Sequence, residues 1–108
     1  MKVFWTPSAR QRLKEIEAYL AKEGSPQIAR DVASRLISAS LMLEHPPLLG
    51  ARLTQYANAD VRQLLERPYR LIFRVLAERI EIITVLHYRQ LLPSDLRDLS
   101  VEIGGKPN

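Results

Sequence analysis

The side chains best suited to chemistry gather in the second half of the chain: Arg62, Arg70, Arg74, His87, Tyr88 and Arg89. Arginine's planar fork fits phosphate or carboxylate, whether on a nucleic acid, an acidic protein surface or an internal partner. Histidine is the side chain that titrates near neutrality, so His87 suits a general acid or base; the plainer reading is a strand-end imidazole satisfied by backbone. Arg74 has an alternative as an ion pair with Glu81, and Arg62 as one with Glu66 on its own strand face. An exposed pair of that kind adds well under ~1 kcal/mol. Arg70 meets no acid in the expected register and reads either as a binding group or as a solvated arginine. His45 reads as a cation at a helix C-terminus, favoured by the macrodipole, and Met42 and Trp5 read as core.

Other chemistries are missing from the sequence. There is no Gly-rich phosphate loop, no nucleophile elbow, no metal-ligand spacing and no paired acidic cluster. The absence of cysteine removes disulfides, thiolate metal sites and a thiol nucleophile, and His45 and His87 stand too far apart in sequence to suggest a zinc site. Neither metal nor cofactor is expected. The start turns polar at Thr6, too early for a signal-peptide apolar region, and no later run approaches a membrane span. A cytoplasmic protein without a membrane partner is expected.

With 108 residues, the chain has the length of one domain, read as a single unit over 1–108. Its net charge of +4 comes from 16 basic and 12 acidic groups, and 12 of the 16 are arginine. Residues 1–45 hold 7 basic and 5 acidic groups, 46–92 hold 7 and 4, and 93–108 hold 2 and 3. The excess therefore lies in the body and not in the tail.

The elements that must position these residues follow from periodicity and caps. Lys2 to Trp5 reads as a short strand, and Thr6-Pro7-Ser8 as a helix start. Ala9, Leu13, Ile16 and Leu20 give that helix one apolar face. Gly24 ends it and Ser25-Pro26 opens a second, whose stripe is Ile28, Val32, Leu36, Ala39 and Leu43, so the pair should form an antiparallel hairpin. Pro46-Pro47 stops the second helix, and residues 46–60 read as one long loop. Val61 to Glu66, Tyr69 to Leu76 and Arg79 to His87 then read as an antiparallel meander. A two-residue loop at Ala77-Glu78 would set Val75 opposite Ile80, Phe73 opposite Ile82, Leu71 opposite Thr84 and Tyr69 opposite Leu86 on a face covered by the helices. It would place Arg74 opposite Glu81, Ile72 opposite Ile83 and Arg70 opposite Val85 on the other, with His87 and Arg89 continuing that free face. The fold class is α+β, β-α-α-β-β-β, with the helical hairpin on one face of the sheet. From Pro93 the tail carries at most a helical turn after Ser94 and frays at its end.

At this point the segments Trp5-Thr6-Pro7-Ser8-Ala9, Val61-Arg62-Gln63-Leu64-Leu65, Pro68-Tyr69-Arg70-Leu71-Ile72-Phe73-Arg74-Val75 and Ile80 to Gln90 carry a resemblance. Together, in order and spacing, they look like the ParE branch of the RelE/ParE toxin superfamily, over roughly residues 3–92. Fold alone does not separate the two activities of that superfamily. RelE-like members cut messenger RNA on the ribosome, and ParE-like members poison DNA gyrase. The lysines of RelE-like enzymes have no counterpart on Val61 to Glu66. Their catalytic arginine falls at Gln90 and their late tyrosine at Leu96, and only Arg70 persists. His87-Tyr88-Arg89 matches the ParE-like His-x-Arg.

The resemblance therefore implies a toxin of a type II toxin–antitoxin system that traps the gyrase cleavage complex, causes growth arrest and serves plasmid maintenance. Its implied partners are gyrase and a cognate ParD-like antitoxin, which binds it as a hetero-oligomer. Arg62, Arg70, Arg74, His87, Tyr88 and Arg89 are the expected target surface, helped by the segment from Leu91 to Leu99, and no residue is catalytic. The alternative is a ribosome-dependent endoribonuclease with Arg70 and Arg89 on the phosphate and His87 or Tyr88 moving protons. Direct nucleic-acid contact belongs to that alternative alone.

Overall fold

The computed structural model describes residues 1–45, 50–56 and 58–92. The strand β1 (Lys2–Trp5) runs into helix α1 (Pro7–Glu23), followed by α2 (Pro26–Leu41) and a 3₁₀ turn at Met42–Glu44. After these come β2 (Ala51–Arg52), β3 (Val61–Glu66), β4 (Tyr69–Val75) and β5 (Arg79–His87). In space the sheet order is β1-β5-β4-β3-β2. The expected α+β class holds, with two additions. β1 joins the sheet parallel to β5, which makes the sheet mixed, and the stretch read as plain loop contains the short strand β2, antiparallel to β3.

The helix starts are built as their residue types require. Thr6 Oγ1 accepts from the Ala9 amide at 3.1 Å and donates to the Ile82 carbonyl at 2.9 Å, so one hydroxyl caps α1 and ties it to β5. Ser25 Oγ accepts from the Ile28 amide at 3.2 Å, with Pro26 in the first turn of α2. At the other end of α1, the Gly24 amide donates to the Leu20 carbonyl at 2.8 Å. Removing either hydroxyl cap would cost ~1 kcal/mol.

The main core lies between the hairpin and the sheet. Ala9 and Leu13 of α1 and Val32, Ala33 and Leu36 of α2 meet Leu71 and Phe73 of β4 and Ile80, Ile82 and Val85 of β5. Of the stripe expected on α2 and its extension, Val32, Leu36 and Leu43 are buried and Ala39 packs against them; Ala29 and Ala33 are buried as well, while Ile28 is exposed. Small side chains let the helices approach closely, and the bulkier Ile28 is left at the rim. Met42 is also exposed, at 58%, because the chain has tightened into the 3₁₀ turn there. Trp5 is half-buried as expected, its Nε1 donating to the buried Ser40 Oγ at 3.0 Å.

The two-residue loop at Ala77-Glu78 forms, closed by a 2.9 Å bond from the Leu76 amide to the Arg79 carbonyl. Val75–Ile80, Arg74–Glu81 and Phe73–Ile82 pair as expected. An irregularity then inserts Ile83, and every later pair moves by one: Ile72 meets Thr84, Leu71 meets Val85, Arg70 meets Leu86 and Tyr69 meets His87. A bulge of one residue turns each following side chain to the opposite face. Val85 therefore enters the helix-side core, and Leu86 leaves it.

The face away from the helices is not free. Ile72, Ile83 and Leu86 are covered by Leu53, Tyr56 and Val61, with Ala59 and Leu92 packed alongside. The connection before β3 folds back over the sheet and seals a second, smaller core. The expected stop at Pro46-Pro47 and the tail from Pro93 lie outside the described residues.

Candidate functional site

The six candidate side chains do not share one face. Directly opposed residues point the same way, so Arg62, opposite Phe73, and His87, opposite Tyr69, are on the helix side. Arg70, opposite Leu65 and Leu86, and Arg74, opposite Val61 and Glu81, are on the other side. The expectation of His87 continuing the face of Arg70 fails because of the bulge at Ile83.

At the end of the sheet where β3 begins and β4 turns into β5, the arginines are neutralised. Arg74 Nη2 and Arg79 Nη2 each lie 2.7 Å from one oxygen of Glu81. The hydrogen bond from Arg74, followed by its charge and the contact from Arg79, holds the Glu81 carboxyl below the usual range against the opposing effect of burial. Arg62 grips Asp60 with two bonds, Nε to Oδ1 at 3.0 Å and Nη2 to Oδ2 at 3.1 Å. That grip holds Asp60 low, with Arg52 adding to it, and raises Arg62 in return. Arg62 thus pairs with Asp60 and not with the expected Glu66. Residues two apart on an extended chain share a side, a signal by which sequence could have found this pair.

At the other end, the chain leaving β5 makes a knot. The Gln90 amide donates to the His87 carbonyl at 2.9 Å, and the Tyr88 amide to the Pro68 carbonyl at 2.8 Å. Gln90 Oε1 accepts from the His87 amide at 2.8 Å and from Arg12 Nη2 of α1 at 3.4 Å. Arg12 also donates through Nε to the Val85 carbonyl at 3.2 Å. Arg70 Nη2 donates to the Gln90 carbonyl, and its Nη1 to Gln63 Oε1 at 2.9 Å. Arg12 and the tethering role of Gln90 have no counterpart in the sequence reading; their partnership across 78 positions leaves no local signal.

Around this knot the aromatic rings stack. His87 lies against Tyr88 at 4.9 Å and 29°, and meets Tyr69 edge-on at 5.9 Å. Burial pushes the Tyr69 phenol above its ordinary value. Arg67 and Arg89 sit 5.9 and 5.4 Å from the centre of the Tyr88 ring. His87 Nδ1 accepts from the Arg89 amide at 3.2 Å, which leaves Nε2 to carry the proton of the neutral ring. The Tyr88 hydroxyl accepts from Arg89 Nε at 3.0 Å. His87 Nδ1 and a lone pair of the Tyr88 oxygen are thus engaged within residues 87–89, while the His87 Nε2–H and the Tyr88 O–H have no partner among the described residues. Leu91, 92% exposed, projects beside them.

Two concavities flank this end. A cleft of about 330 Å³ is bounded by Arg12, Glu15, Tyr19, Tyr69, His87 and Gln90. A larger groove of about 460 Å³ runs between α2 and β3, with Ala39, Met42, Leu64 and Leu65 on its walls. Exposed Ile37 and Leu41 lie on the same helix. Among the described residues no three His, Asp or Glu side chains gather as a metal site.

A helical hairpin on a mixed sheet, with cations and aromatic rings at one sheet end, defines a small α+β domain. The sequence matches the model of the ParE toxin of type II toxin–antitoxin systems over residues 3–92, and the chain belongs to that family. It is 30% identical over 95 residues to the candidate toxin Y4kP of Sinorhizobium fredii (strain NBRC 101917 / NGR234), covering 88% of this chain and 96% of that protein. Its fold is similar to a chain of the chromosomal ParDE toxin–antitoxin system from P. aeruginosa, with a TM-score of 0.69 and 26% identity. That similarity covers 81% of this chain and 95% of the other.

Proposed function

We propose that this chain is a cytoplasmic ParE-like toxin that inhibits DNA gyrase by trapping its cleaved-DNA state, and that a cognate ParD-like antitoxin neutralises it. The observation that carries the reading is the state of residues 87–90. By the resemblance, Gln90 stands where RelE-like enzymes carry a catalytic arginine, and its side chain is held in the knot by the His87 amide and Arg12. Without an arginine at that place a nuclease lacks one of the cations that stabilise the charge of the transition state, which favours docking over cleavage. Arg70, Tyr88 and Arg89, with exposed Leu91 beside them, form the contact; Arg62 and Arg74, neutralised by Asp60 and Glu81, contribute shape more than charge. His87 supports it by stacking under Tyr88.

The antitoxin reading rests on the groove between α2 and β3. Its apolar walls, with exposed Met42 and Leu65 among them, suit the apolar anchors of a segment that orders on binding. The free toxin should be less soluble than its complex.

The convergence of Arg70, His87, Tyr88 and Arg89 on one sheet end favours a second reading, a ribosome-dependent endoribonuclease. One preparation tests both, in a gyrase supercoiling and cleavage assay beside a ribosome-programmed message-cleavage assay. Linear DNA accumulating over intact message is the expected result. Codon-positioned message cuts with untouched gyrase would overturn it.

A further inference from the structure

The six arginines of β3 to β5 and their flanking turns divide by position. Arg62, Arg74 and Arg79, at one end of the sheet, are each salt-bridged to Asp60 or Glu81. Arg67, Arg70 and Arg89, at the other end, have no carboxylate partner among the described residues. The acids near that end face elsewhere: Glu66 stands opposite Tyr69 and so on the helix side, and Glu15 pairs with Arg12. One sheet end is therefore electrically quiet, and the other presents a field of one sign.

The bare cations are held close together. Arg67 and Arg89 approach the same Tyr88 ring at 5.9 and 5.4 Å, and Arg70 Nη2 reaches the Gln90 carbonyl next door. Like charges gathered this way repel, and an anion lying across them relieves the repulsion. Both outer arginines are exposed, so their guanidinium edges meet solvent. Tyr88 is 39% exposed and is held flat by His87 beneath it. Paired guanidinium groups beside a braced, accessible aromatic ring match a phosphodiester chain, with phosphates on the cations and a base extending the stack.

We propose that this sheet end binds the phosphodiester backbone of a nucleic acid, with Arg67 and Arg89 as the phosphate contacts, Tyr88 as the stacking platform and Arg70 adding to the field. Binding without cleavage goes beyond the gyrase reading and does not depend on it. It also departs from the expectation that nucleic-acid contact belongs only to a ribonuclease.

The test is fluorescence anisotropy of a labelled oligonucleotide of about 16 residues, within the usual site size for such surfaces. It is run with the full chain and no gyrase on single-stranded DNA, duplex DNA and RNA of one sequence, so that the tightest of the three identifies the nucleic acid. Arg67→Ala and Arg89→Ala should each weaken binding about tenfold at low salt. On a single strand, each should also reduce the slope of log affinity against log salt by about 0.7. Both side chains are exposed, so the thermal transition should stay in place. Arg79→Ala removes an equally exposed cation from the neutralised end and should leave binding within about twofold. Salt-insensitive or undetectable binding by the native chain would overturn the proposal, as would Arg67→Ala and Arg89→Ala variants that bind like it. Displacement by polyglutamate as effective, charge for charge, as by unlabelled oligonucleotide would overturn it in favour of an acidic protein surface.

Discussion

Thr84 is fully buried on the face away from the helices, opposite Ile72, and its Oγ1 has no hydrogen-bond partner among the described residues. The Ile83 bulge put it there, among Ile72, Ile83 and Leu86. Thr84→Val keeps the branched shape and strand preference while replacing the orphaned hydroxyl with a methyl group. An unpaired hydroxyl in an apolar site costs roughly 1–3 kcal/mol by protein mutational measures. Allowing for incomplete burial of the group in the unfolded reference, a stabilisation of about 1–2 kcal/mol is expected. In a domain of this size each kcal/mol raises the midpoint by roughly 4–8 °C. Thermal and urea unfolding of the native chain, Thr84→Val and Thr84→Ser give the comparison. Serine keeps the hydroxyl and loses the methyl, so it should destabilise by about 1 kcal/mol. A valine variant melting at or below the native midpoint would refute the reasoning, since it would mean that the hydroxyl is satisfied in solution.

Gly50 has φ of +98°, and a Cβ there would lie 2.7 Å from the Gln63 carbonyl oxygen and 2.9 Å from Phe73 Cζ. Gly50→Ala combines left-handed strain with overpacking and should cost about 2–4 kcal/mol, read as a fall in the urea midpoint. Glu81 and Asp60 are held below their ordinary values, so between the folded and unfolded values the unfolded chain binds more protons. Stability from these groups is fully present above the unfolded values and is lost as pH falls through the folded ones. Unfolding free energy measured from about pH 7 down to 3 should therefore decline, and Glu81→Gln should flatten that decline while lowering stability at neutral pH. Gln90→Ala should speed hydrogen exchange at the His87 amide about tenfold by removing its acceptor. Gln90→Glu, which keeps the acceptor, should restore the native rate.

What was legible in the sequence was punctuation. Thr6-Pro7 and Ser25-Pro26 announced both helix starts because a hydroxyl cap beside proline has few other uses, and Gly24 announced the end of the first helix. The two-residue loop at Ala77-Glu78 followed from the change of period. The bulge did not show, because Ile82 to Leu86 is a run of apolar and β-branched residues buried on both faces. Where neither face wants a polar side chain, a slip of one position violates no pattern. That slip carried His87 to the side of Tyr69 and separated it from Arg70. The cover over the second face was hidden for a related reason: Leu53 and Tyr56 sit among turn-forming residues without a period. The knot at Gln90 joins a helix, two strands and a turn, and no spacing rule links partners so remote.

The pairing of β1 with β5 places the earliest-made strand beside the last of the described ones. Thr6 bonds to Ile82 across 76 positions, so α1 is anchored to a strand the ribosome has yet to deliver when the helix emerges. The nascent helical hairpin must hold its apolar stripe in water, or on a chaperone, until synthesis has passed His87. Loop closure over so long a span raises the contact order and slows the final collapse. The interval before a complete sheet exists is therefore written into the strand order, and with it a delay between translation and the first competent molecule.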